Sequence, residues 1–74
     1  MPVLKSFGSI KIQMFFEDHP PPHVHVTGKD FRALVRIEDA AVFRGEIPAR
    51  WRTEILEWIA VNRVPLMARW HDYR

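Results

Sequence analysis

The stretch His23-Val24-His25-Val26-Thr27-Gly28-Lys29-Asp30-Phe31-Arg32-Ala33-Leu34-Val35-Arg36-Ile37 holds two alternating segments around a turn signal. Val24 and Val26 alternate with His23 and His25, and Phe31, Ala33, Val35 and Ile37 alternate with Arg32 and Arg36, the period of two of a half-buried strand. Gly28-Lys29-Asp30 supplies the reversal, so the two strands form an antiparallel hairpin. Alternation puts the apolar set on a core side and leaves His23, His25, Arg32 and Arg36 together on the other. A lone hairpin is at best marginally stable in water, so the rest of the chain must extend and cover it.

Working outward, Ile10, Ile12, Met14 and Phe16 share one face of a strand over 9–16, with Lys11 and Gln13 opposite. Ala41-Val42-Phe43-Arg44, closed by Gly45, reads as a fourth strand over 41–44 beside those over 23–27 and 31–37. The cover comes from the second half. Pro48 suits the first turn of a helix, and Trp51, Ile55, Trp58, Ile59 and Asn62 recur at the spacing of one helical face, predicting a helix over 48–63. Pro65 should end or kink it, and Leu66, Met67 and Trp70 continue as a short second helix over 65–72. The expected fold is α+β: an antiparallel sheet of three or four strands covered by C-terminal helices, in one domain over residues 1–74.

Composition narrows the function classes. Hydrophobic residues make up 47% of the 74, with three Trp and five Phe, which argues for a packed globule over a disordered chain. With no cysteine there is no disulfide, no thiolate nucleophile and no Cys-based zinc site. No apolar run approaches the roughly 18–20 residues that span a bilayer, so the expectation is a cytoplasmic protein without membrane partners. The formal charge is only +2, but arginine dominates the cations of the second half, a bias suited to bidentate recognition of phosphate or carboxylate.

The chemistry concentrates in Glu17-Asp18-His19-Pro20-Pro21-Pro22-His23-Val24-His25-Val26, which gathers three of the four histidines. Histidine titrates near neutral pH and ligates metals, so the segment is a candidate acid/base or metal centre. His23 and His25 share a strand face with backbones about 6.6–7 Å apart, suited to two imidazoles converging on one ion, zinc or another divalent metal. His19 completes the candidate set His19, His23 and His25 only if the chain bends. A polyproline II run would hold it roughly 12 Å from His23. Otherwise His71, Asp18 or Glu17 must supply the third ligand. In a metal-free ribonuclease, His23 and His25 serve as acid and base while Arg32 or Arg36 stabilises the phosphorane. The same segment, His19 with Pro20, Pro21 and Pro22, together with Phe15, also suits a partner-binding surface.

Taken in order, Met1-Pro2, the paired aromatics Phe15-Phe16, Asp18-His19-Pro20-Pro21-Pro22-His23-Val24-His25-Val26, Gly45-Glu46-Ile47-Pro48, and the run from Arg63 through Leu66 to Trp70 resemble the small bacterial family catalogued as domain of unknown function 4160. Val64-Pro65 departs from that pattern, in which acidic residues are common. The resemblance implies a toxin–antitoxin-type component with a small partner protein from a neighbouring gene. The expected function is therefore a ribonuclease or nucleic-acid-directed activity, with RNA as partner. The competing expectations are a non-enzymatic adaptor or antitoxin-like module and a His-based metal-binding protein. No recognised nuclease motif is present, so the sequence leaves enzymatic status open.

Overall fold

Five strands pair in chain order in the computed structural model, which describes residues 3–16 and 18–73. They are β1 (Val3–Phe7), β2 (Ile10–Gln13), β3 (His23–Thr27), β4 (Arg32–Arg36) and β5 (Ala41–Gly45), and every pairing is antiparallel. Two helices follow, α1 (Ala49–Val61) and α2 (Arg63–Asp72). The α+β architecture is as expected, with one strand more. The Gly28 N–H donates to the Phe31 carbonyl at 2.8 Å, closing the hairpin that pairs Val24 with Val35 and Val26 with Ala33.

Val24, Val26, Ala33, Val35 and Ile37 are buried as read, with Ile10 and Ile12 of β2 and Met14 just after it, while Phe31 is only partly buried against the same core. Ile47, Ile55, Ile59, Leu66 and Trp70 close the same core from the C-terminal half. On α1 the buried residues are Ile55 and Ile59, while Trp51 and Trp58 are half-buried at its edges. Phe16 is a correction. Strand β2 ends at Gln13, so the two-residue period no longer applies and Phe16 is 58% exposed rather than in the core.

Proline and glycine set the remaining boundaries. Pro48 precedes α1, its carbonyl accepting from the N–H groups of Trp51 and Arg52. The helix break falls at Asn62 and not at Pro65. The Asn62 side-chain amide donates to the Trp58 carbonyl at 2.8 Å, and the Asn62 carbonyl accepts from Leu66 at 2.9 Å, ending one helix and starting the next. Pro65 is the third residue of α2, in the first turn, where a missing N–H is tolerated. Gly45 has φ +76 and pairs with Ala33, and a Cβ there would meet the Arg32 carbonyl oxygen. No helix among the described residues is long and apolar enough to cross a membrane.

Candidate functional site

Strand β3 delivers His23 and His25 on one face, opposite the buried Val24 and Val26. The proline segment then returns a carboxylate to them. The Pro20–Pro21 peptide is cis and the chain bends there. The Ile37 N–H donates to the Pro22 carbonyl at 3.0 Å, tying the segment to the end of β4. In this arrangement one oxygen of Asp18, Oδ2, lies 2.8 Å from His25 Nε2 and 3.0 Å from His23 Nε2. Its other oxygen, Oδ1, accepts from the His19 backbone N–H at 2.9 Å.

His23 is held at both ring nitrogens. A peptide carbonyl only accepts, so at 2.7 Å from the Pro21 oxygen Nδ1 is the donor, and Nε2 is the nitrogen turned to Asp18. The ring is walled by Trp70 from α2, with centroids 5.3 Å apart, and by the edge contact of Phe43 from β5, at 5.6 Å. This explains why a histidine on the polar face of the sheet is only 4% exposed. His25 is stacked on Phe15 at 4.2 Å and keeps 24% of its side chain in solvent, and Asp18 keeps 19%. Partial burial pushes the Asp18 carboxyl up, but the His25 hydrogen bond, the His19 N–H and the nearby imidazoles outweigh it and hold the carboxyl below its ordinary value.

The triad Asp18, His23 and His25 has its ligand atoms within 4.8 Å of one another. His19 lies outside it: the residue is exposed and meets Asp18 through its backbone alone. His71 is exposed on α2, and Glu17 falls outside the described residues. Arg36 is the cross-strand partner of His23, but its guanidinium is held by both oxygens of Asp39, at 2.9 and 2.8 Å. Arg32 pairs with Thr27 at the far end of the hairpin, four residues and about 13 Å along the strand from Arg36. Phe15 is half-buried against His25, and Pro20 and Pro21 are exposed. Sequence reasoning missed Phe43 and Trp70 as walls of the site, since neither is near the histidines in the chain.

Over residues 9–71 the chain matches the sequence model of a domain of unknown function, DUF4160. The chain belongs to the DUF4160 family. The DUF4160 match takes in Phe15, Asp18, His23, His25, Arg36, Phe43 and Trp70, so the whole constellation lies within the family domain, whereas β1 lies before it. No curated protein and no solved structure matches the chain. The chemistry of this DUF4160 protein is therefore read from the triad itself.

Proposed function

We propose that the protein is an RNA-directed member of a toxin–antitoxin-type pair and that Asp18, His23 and His25 are its reacting centre. The observation that carries this reading is the single carboxylate oxygen shared by two imidazoles, at 2.8 and 3.0 Å, beside a solvent-reachable edge. In RNA cleavage the ribose 2′-oxygen attacks phosphorus as its proton leaves, the P–O5′ bond breaks, and the 5′-oxygen takes up a proton. The triad supplies the groups that move those protons. Arg36, across the strand pair from His23, is the cation for the phosphoryl oxygens, and a substrate phosphate must draw it from Asp39.

The test incubates purified protein with total RNA and with a single-stranded oligoribonucleotide, comparing the wild type with a His23→Ala/His25→Ala double variant. The wild type is expected to shorten the RNA and the double variant to leave it intact. Equal outcomes from both would overturn the assignment. A second reading is favoured by the exposure of His19, Pro20 and Pro21, whose side chains take no part in the triad. In that reading the segment docks a small partner protein, and replacing these three residues abolishes binding to the neighbouring gene's product while RNA stays intact.

A further inference from the structure

A neutral imidazole has one N–H and one lone pair, and His23 has committed its N–H. Nδ1 donates to the Pro21 carbonyl, so in the neutral ring Nε2 carries only a lone pair, and it faces the acceptor-only Asp18 Oδ2 at 3.0 Å. Two lone pairs do not hold each other at that distance. A proton shared between the two groups, or a metal ion, must mediate the contact. We propose that Asp18, His23 and His25 bind one divalent first-row transition-metal ion.

Three features favour the ion. First, an ion with bonds of about 2.0–2.1 Å separates adjacent ligand atoms by about 2.8–3.4 Å, from octahedral to tetrahedral geometry. The two nitrogen–oxygen separations, 2.8 and 3.0 Å, fall at the octahedral end of that range, and all three ligand atoms lie within 4.8 Å of one another. Second, the Pro21 carbonyl gives His23 the outer hydrogen bond that fixes tautomer and ring orientation in metal-ligating histidines. Third, the rings are pre-oriented by packing: His25 by Phe15, and His23 by Phe43 and Trp70.

The donor set decides the class of ion. Two imidazole nitrogens and a carboxylate suit zinc, iron, cobalt or nickel, whereas magnesium and calcium prefer oxygen shells. Three protein ligands leave a position for water or a substrate oxygen, the arrangement of reactive rather than purely structural sites. The assignment stands on the His23 geometry and does not depend on RNA being the substrate. If both hold, Asp18, His23 and His25 would hold the ion, and the ion would supply the acid/base chemistry.

The test uses the full chain after chelator treatment, titrated with zinc by calorimetry and with cobalt(II) by visible absorption, no RNA being present. One equivalent per chain is expected, and a melting temperature raised by about 10 °C or more at a zinc concentration a hundredfold above Kd. His25→Gln and Asp18→Asn change the partly exposed members of the triad and should each weaken zinc binding about tenfold or more, with circular dichroism reporting that both remain folded. Absence of binding by the wild type at millimolar zinc, unchanged affinity in the two folded variants, or equal affinity for magnesium would each overturn the site. RNA cleavage without zinc binding would overturn this inference and leave the proposed function standing. Zinc binding without cleavage would do the reverse.

Discussion

Removing the Trp70 side chain should damage the protein more than removing that of Trp58, although both tryptophans lie on the C-terminal helices. Trp70 is 2% exposed and belongs to the buried core with Leu66, Ile55 and Ile59 while its ring lies 5.3 Å from that of His23; Trp58 is half-buried at the edge of the same core. A fully buried Trp→Ala change costs about 3–5 kcal/mol, from lost transfer energy and the cavity left behind. A domain of 74 residues at about 0.05–0.15 kcal/mol per residue holds only about 4–11 kcal/mol in all. Trp70→Ala therefore removes between about a quarter and all of the stability, lowering the melting temperature by at least about 12 °C. Trp58→Ala, at a position that keeps part of its surface in solvent, should lower it by less. Thermal and urea unfolding followed by far-ultraviolet circular dichroism measure both. The reasoning is refuted if Trp58→Ala is as damaging as Trp70→Ala, or if Trp70→Ala moves the midpoint by less than about 3 °C.

Other expectations follow from the same geometry. Gly8 and Gly45 both have positive φ, but a Cβ at Gly8 meets nothing within 4 Å whereas at Gly45 it meets the Arg32 carbonyl; Gly8→Ala should lose about 1–2 kcal/mol in urea unfolding and Gly45→Ala clearly more. Phe15→Ala removes the ring stacked on His25 and should lower stability by about 0.5–1.5 kcal/mol beyond the area lost, while His25 ring signals broaden in NMR spectra. The Asp39 carboxyl is held below its ordinary value of 3.8, first by the Arg36 hydrogen bond, which with the guanidinium charge outweighs the opposing effect of desolvation. Its contribution to stability is present above that ordinary value and lost as pH falls through the lower folded one; carbon-13 NMR of the Asp39 carboxyl should show its midpoint rising in Arg36→Ala.

The hairpin was legible because Val24, Val26, Ala33, Val35 and Ile37 alternate without interruption around a glycine turn, and burial on one face rewards that pattern directly. Strand β1 escaped notice because Val3, Lys5 and Ser6 are exposed, so its residues carry no strong period of two; Gly8-Ser9 between it and β2 was the available signal. Pro65 marks the break between the two helices only to within a few residues, since a proline excludes only interior positions and the first turn of α2 accommodates it. The candidate site was half legible. His23 and His25 declare their shared face by spacing alone. Asp18 sits seven residues before His25, and that distance in the chain says nothing of distance in space until the bend at Pro20 and Pro21 is known. Phe43 and Trp70 reach His23 only through the order of strands and the docking of α2, which no local pattern encodes.

The most direct measurement is a long-range proton–nitrogen NMR spectrum of the histidine rings in wild-type protein, recorded without and with one equivalent of zinc. The expected result is His23 with Nδ1 protonated in both states, as its hydrogen bond to Pro21 requires, and with the Nε2 signals of His23 and His25 both moving to metal-bound positions when zinc is added. A His23 ring with Nδ1 unprotonated, or Nε2 signals of both rings that stay in place as zinc is added, would contradict the central claim that Asp18, His23 and His25 form one metal-binding centre.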